Sequence, residues 1–227
     1  MAGHEVNLLQ QSDNHPNVIR YFCREQTDRF MYIVLELCPS SLADLIERTE
    51  AEHVKDIFPE DKPMEPRKIL QEIMLGLEHL HSIKLVHRDL KPANILIAPT
   101  RKALLSDFGL SKKLADDQSS FHATVQSGTI GWRAPECILN DEVIRMKGSN
   151  NELGAIVKGV KITKAIDIFA AGCIFYYVLT GGLHPFGNRM QREINIVQNK
   201  CDLSGLSCDP VALDLVSRMI SRDPKKR

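Results

Sequence analysis

Three polar side chains close together could do chemistry: Asp89, Lys91 and Asn94, in the string His87-Arg88-Asp89-Leu90-Lys91-Pro92-Ala93-Asn94. An apolar run, Ile95-Leu96-Ile97, follows, then a polar tip, Ala98-Pro99-Thr100-Arg101-Lys102. A second run, Ala103-Leu104-Leu105-Ser106, ends in Asp107-Phe108-Gly109. Two short apolar runs around a tip with Pro and charges predict a β-hairpin. In an antiparallel hairpin the start of the first strand lies beside the end of the second, so Asn94 and Asp107 come side by side. An amide oxygen next to a carboxylate suits a hard divalent cation such as Mg²⁺. Asp89 sits on the loop feeding the first strand and is a second carboxylate, close to the metal but not required by it. That is the place for a base acting on an incoming hydroxyl.

The elements that must position these groups are legible along the chain. Glu5, Leu8 and Leu9 have helical spacing, and Asn14-His15-Pro16 ends the run. Residues 18–23 and 30–37 read as strands around the turn Thr27-Asp28-Arg29. Ser41 followed by Asp44 resembles a capping box opening a helix with Leu42, Leu45 and Ile46 on one face. Residues 50–64 read as a loop. Pro66 suits the first turn of a core helix whose stripe is Ile69, Leu70, Ile73, Met74, Leu77 and Leu80. Residues 110–128 read as a mobile Ser/Thr-rich loop, and residues 140–165 as an insertion or long connection. Ile166 to Thr180 predicts a buried helix stopped by Gly181-Gly182, and Asp209-Pro210 starts another with Leu215, Val216, Met219 and Ile220 inside. Strands first and helices after predict an α+β protein of two unequal lobes.

Composition narrows the class. The 227 residues suffice for one large domain or two small lobes. Lys+Arg and Asp+Glu balance at 29 each, which gives no electrostatic argument for nucleic acid or an anionic membrane. The six cysteines form no C-x-x-C pair and predict reduced, packed thiols in a cytosolic setting. The N-terminus lacks the pattern of a signal peptide. The most apolar run, residues 166–179, is shorter than the roughly 20 residues a bilayer requires and contains Asp167.

The string H-R-D-x-K-P-x-N followed by D-F-G resembles the catalytic loop and metal motif of eukaryotic protein kinases. Within them the chain most resembles the inositol-requiring kinase/endoribonucleases of the unfolded protein response. That likeness rests on residues 15–22 (His-Pro-Asn-Val-Ile-Arg-Tyr-Phe), residues 35–38 (Leu-Glu-Leu-Cys), residues 131–136 (Gly-Trp-Arg-Ala-Pro-Glu), residues 166–169 and residues 184–187 (His-Pro-Phe-Gly). The resemblance implies a two-lobe kinase fold, with a partial small lobe over residues 1–37 and a helical large lobe over residues 38–227. It implies a serine/threonine kinase using ATP and Mg²⁺, acting on protein hydroxyls and on copies of itself.

By the same resemblance Asp89 is the base, Lys91 contacts the transferred phosphate, and Asn94 and Asp107 hold the metal. Glu36, Leu37 and Cys38 form the adenine hinge, Leu35 guards the back of that pocket, Leu96 floors it, and Asp44 reaches the ribose or merely caps its helix. Glu5 is the helix glutamate that pairs with a strand lysine. Leu9, Tyr21, His87 and Phe108 form an apolar column between the lobes. Arg88 receives a loop phosphate carried by Ser119, Ser120 or Thr124. Gly128-Thr129 with Lys91 marks the serine/threonine type. Asp167 accepts backbone N–H bonds from the catalytic loop, and Glu136 pairs with Arg227.

The chain departs from that pattern in having no G-x-G-x-x-G loop and no V-A-I-K strand ahead of Glu5. The departure implies weak ATP binding by these 227 residues alone, and it keeps open a nucleotide-sensing module without catalysis, or a gene fragment. The full-length family is anchored in the endoplasmic reticulum membrane with its kinase on the cytoplasmic face. This segment by itself is expected to be soluble, without a membrane span, and to bind no nucleic acid.

Overall fold

The computed structural model describes residues 2–47, 64–115, 118–122, 128–139 and 161–227. Thr124, nearly all of the expected loop at 50–64, and residues 140–160 lie outside the described residues. The chain forms two compact units, residues 1–113 and residues 114–227.

The first unit opens with α1 (Ala2–Ser12), which buries Val6, Leu8 and Leu9. Strands β1 (Tyr21–Gln26) and β2 (Met31–Leu35) pair antiparallel around the turn in which Thr27 N–H donates to Phe30 O at 2.8 Å. A strand beginning at Val18 is corrected by the structure. Val18 bridges in parallel to Leu105 instead, and Tyr21 N–H is taken by Asp13 Oδ1 at 2.7 Å, so the pairing with β2 starts at Tyr21. Strand β3 (Ser40–Ser41) leads into α2 (Leu42–Glu47). The capping box is present: Asp44 N–H donates to Ser41 Oγ at 3.1 Å, and Ser41 Oγ donates to Asp44 Oδ2 at 2.8 Å.

The helix α3 (Pro66–Ser82) begins with Pro66 in its first turn and buries Ile69, Leu70, Ile73, Leu77 and Leu80. After β4 (Leu85–Val86) comes the hairpin of β5 (Ile95–Ile97) and β6 (Ala103–Leu105). Its register pairs Ile95 with Leu105 and Ile97 with Ala103, and β3 adds to the outer edge of β5. The segment expected as a polar loop after residue 110 contains two short strands. One is β7 (Lys112–Lys113), paired with β4. The other, β8 (Phe121–His122), belongs to the second unit and pairs with β9 (Lys161–Ile162), inside the stretch read as a long connection.

The second unit is built on α4 (Ala165–Leu179), buried at every residue from Phe169 to Val178. An all-round apolar helix belongs in a core. It ends where Gly181 and Gly182 take φ values of +66° and +113°, open to residues without a Cβ. Helix α5 (Arg192–Gln198) follows, then α6 (Pro210–Met219), capped by Asp209 Oδ1 accepting from Ala212 N–H at 3.0 Å. Gly172 lets α6 approach α4: a Cβ there would stand 2.7 Å from the Met219 Cβ.

Two expectations fail here. Leu215 is 46% exposed, because it lies about 100° around α6 from Val216, off the stripe that Val216 and Met219 make. The cysteines are free, but only Cys173 is buried; Cys23, Cys201 and Cys208 are exposed.

Candidate active site

The reactive groups gather at the foot of the β5–β6 hairpin, in the first unit. Asp89 Oδ2 accepts from Lys91 Nζ at 2.9 Å and from Asn94 Nδ2 at 3.1 Å. The same Nδ2 donates to the Asp89 carbonyl at 2.9 Å. Both amide protons of Asn94 thus face Asp89, which leaves Oδ1 as the group's acceptor side. Asp89 and Asn94 are buried, and Lys91 is half-buried.

The hairpin delivers Asp107 as its strand spacing requires. The Asn94 carbonyl accepts from Ser106 N–H at 3.0 Å and from Ser106 Oγ at 2.9 Å, so Asp107 is the next residue along. Asp107 is exposed, adopts φ +63°, and its Oδ1 accepts from Gly109 N–H at 3.3 Å. Arg88, ahead of the base, has φ +71°. A free amide oxygen and an exposed carboxylate are donors of the kind Mg²⁺ takes, so these residues fit a divalent cation.

His87 braces both sides of the loop. Its Nε2 lies 2.9 Å from the Ser106 carbonyl, and its Nδ1 accepts from Asp89 N–H at 3.3 Å. A neutral ring with the proton on Nε2 satisfies both, a tautomer assigned from its partners. The His87 and Phe108 rings are tilted together at 5.4 Å, both fully buried. Leu9 is buried and Tyr21 half-buried. Glu5 on α1 is brought near: its Oε2 lies 3.9 Å from where a Cβ on Gly109 would stand. Burial pushes the Glu5 carboxyl up, and the Asp107 charge adds to the rise.

The hinge residues follow β2. Glu36 N–H donates to the Arg20 carbonyl at 2.9 Å, Leu37 is 86% exposed, and Cys38 is half-buried. Burial, with the Glu36 charge, pushes the Cys38 thiol up to about 11, so it stays protonated. Leu96 is half-buried between the buried Ile95 and Ile97, and it pairs with Ser41, next to the cap that holds Asp44.

In the second unit, Arg227 binds Glu136 through both guanidinium Nη atoms. Asp167 is buried in α4, Ser119 is exposed, and Ser120 and Thr129 are half-buried. The carbonyl of Thr129 accepts from Trp132 N–H at 3.1 Å. Three features had no advance reading. The buried Arg133 forms an ion pair with the half-buried Glu193, His184 stands edge-on to Trp132 at 4.8 Å, and Glu72 binds β6. Nothing in the sequence flags a single glutamate or histidine among core residues as tied to a site.

A carboxylate held by a lysine and an asparagine, at the foot of a hairpin that ends in Asp-Phe-Gly, is an arrangement of the protein-kinase type. The chain belongs to the protein kinase domain family, which matches residues 1–227. It is 46% identical over 258 aligned residues to the serine/threonine-protein kinase/endoribonuclease ireA of Aspergillus fumigatus, covering 100% of this chain and 21% of that protein. It is 44% identical to the sensor for unfolded proteins in the ER ire1 of Schizosaccharomyces pombe, covering 100% of this chain and 22% of that protein. It is also 44% identical to the serine/threonine-protein kinase/endoribonuclease IRE2 of Homo sapiens, covering 100% of this chain and 23% of that protein. The chain thus spans about a fifth of the length of the curated relatives it matches. Among the described residues no helix is long and apolar enough to cross a membrane.

Proposed function

We propose that this chain is a serine/threonine protein kinase domain that moves the γ-phosphate of ATP to Ser and Thr hydroxyls, including those of other copies of itself, in the response to unfolded proteins. The observation that carries the reading is the shared Asp89 Oδ2, held at once by Lys91 and Asn94. Asp89 takes the hydroxyl proton as the substrate oxygen bonds to phosphorus and the bond to ADP breaks. Lys91 neutralises charge on the transferred group. Asn94 Oδ1 and the Asp107 carboxylate would hold Mg²⁺, which would supply positive charge against the developing negative charge of the phosphoryl group.

The backbone of Glu36, Leu37 and Cys38 receives adenine, Leu96 packs under it, and Asp44 reaches the ribose. Glu5 serves as the helix glutamate that pairs with a strand lysine; burial first and the Asp107 charge second raise its affinity for a proton. Arg88 receives a phosphate placed on Ser119, Ser120 or Thr124, which adds about −1.5 to −2 charges to the segment. The working location is the cytoplasmic face of the endoplasmic reticulum, and the activating event is self-association.

The protein in its full-length form, given Mg·ATP and a generic protein substrate, is expected to incorporate phosphate on Ser and Thr. Asp89→Asn is expected to lower the rate by about 10²–10⁴-fold. Equal incorporation by the two proteins would overturn the assignment.

A further inference from the structure

Strand β6 is hydrogen-bonded along both edges, although a strand covers only one of them. On its free edge four backbone groups of Ala103 and Leu105 each have a partner. Ala103 N–H donates to Glu72 Oε2 at 2.8 Å. The Ala103 carbonyl accepts from Asn17 Nδ2 at 3.1 Å. Leu105 N–H donates to the Asn17 carbonyl at 3.0 Å, and the Leu105 carbonyl accepts from Ile19 N–H at 2.9 Å. Residues 17–19 supply three of the four bonds. The fourth, at the end of the edge nearest the hairpin tip, comes from a carboxylate on α3.

Glu72 is only 8% exposed. Burying a carboxylate is unfavourable unless it meets a donor, and the Ala103 N–H is the donor it meets. Asn94 precedes β5 and Asp107 follows β6, so the two sit on different strands. Their relative position depends on how firmly each strand is held, and Glu72 ties β6 to α3 along the edge away from β5. Asp107 also stands in the left-handed region, and its own side chain is steadied by the Gly109 N–H at 3.3 Å, a long bond.

We propose that Glu72 is a positioning residue for phosphoryl transfer: through Ala103 it fixes β6 and so sets Asp107 against Asn94. The proposal rests on the reading of Asp107 as a metal ligand. Loss of the bond is therefore expected to appear as a greater need for metal, not only as lower stability.

The test measures binding of a non-hydrolysable ATP analogue to the full-length protein by calorimetry as Mg²⁺ is varied, with amide exchange at Ala103 read in parallel. Glu72→Asp withdraws the carboxylate by one methylene, and Glu72→Met removes the acceptor at similar volume. Glu72→Gln keeps an oxygen at the same reach. Whichever of the first two folds is expected to raise the half-saturating Mg²⁺ concentration about tenfold, the low end for residues that orient a metal ligand. It should also speed exchange at Ala103. Glu72→Gln is expected to stay within about twofold of the parent. Faster exchange at Ala103 with an unchanged Mg²⁺ requirement would overturn the proposal, making the bond structural only. So would an equal shift in Glu72→Gln, which would point to the charge instead of the bond. Asp107→Gly, which fits the left-handed backbone but offers no oxygen, is the separate control: if it keeps the parent's Mg²⁺ dependence, the metal assignment itself fails, whatever the Glu72 variants do.

Discussion

Arg227 holds Glu136 with both ends of its guanidinium, Nη1 to Oε1 at 2.7 Å and Nη2 to Oε2 at 2.8 Å, across 91 residues of sequence. The Arg227 side chain is 0% exposed and also donates to the carbonyls of Ala165, Ser221 and Arg222. Its guanidinium lies 5.1 Å from the Phe169 ring centroid. One side chain therefore ties the residue 135–139 helix, the start of α4 and the segment after α6.

Removing one partner of such a pair strands the other charge. Arg227→Met is expected to destabilise the second unit by about 3–5 kcal/mol, and Glu136→Gln together with Arg227→Met to recover part of that. Urea unfolding of both variants checks the size and the recovery. An exposed pair such as Arg218–Asp214 should give less than about 1 kcal/mol in the same assay.

Lys91 offers a sharper test of roles at the site. Its ammonium is bound to the Asp89 carboxylate at 2.9 Å. Lys91→Met is expected to lower kcat by about 10²–10³-fold while KM for ATP changes little, because its charge acts on the group in transfer. Steady-state kinetics at saturating Mg²⁺ separate the two constants.

His184 makes stability depend on acid. Burial, then the Arg192 charge, push its imidazole down to about 3, with the Gly131 backbone partly opposing. The native ring is therefore neutral, and its Nδ1 accepts from Phe186 N–H at 3.2 Å. A depressed folded pKa means that the unfolded chain takes the proton first. The contribution is complete above about pH 6.5 and declines as pH falls towards 3, by about 1.4 kcal/mol per pH unit. Urea midpoints between pH 7 and pH 4 should show this slope, and His184→Gln should flatten it.

At Gly76, α3 runs close to residues 17 and 105. A Cβ there would meet the Asn17 carbonyl at 2.6 Å and Leu105 side-chain atoms at 3.1 Å. Gly76→Ala gains up to about 1 kcal/mol of helix propensity but forces backbone to move, at a cost of about 1–3 kcal/mol. Net destabilisation is expected in thermal unfolding. Since the displaced carbonyl is the one bound to Leu105 N–H, the Mg²⁺ requirement should rise with it.

What could be read from the sequence was local. The hairpin, the Ser41–Asp44 cap, the Pro66 start and the buried run of α4 each follow from a few adjacent residues, and each stands where expected. What could not be read came from partners distant in the chain. Val18 has the composition of a strand residue, yet Leu105 claims it and delays β1. Glu72 sits inside a hydrophobic stripe, and nothing nearby shows that its donor lies thirty-one residues ahead. Leu215 is apolar and one step from Val216, but an angle around a helix is not set by composition. The grouping of Asp89, Lys91 and Asn94 at the foot of the hairpin that ends in Asp107 was legible because their spacings along the chain are short and fixed, whereas single cysteines carried no such redundancy.

The left-handed backbone at Asp107 has a consequence for what can be substituted there. Apart from glycine, the residues that enter that conformation readily are Asp and Asn. Those two are also short side chains with an oxygen to offer a cation. The peptide geometry thus screens position 107: the residues that fit the bend without strain are the few that could still offer an oxygen to a cation, plus glycine, which could not. Under the proposed metal role, loss of binding with the fold intact is therefore a single replacement away, to glycine, whereas most other replacements strain the turn as well as remove the carboxylate.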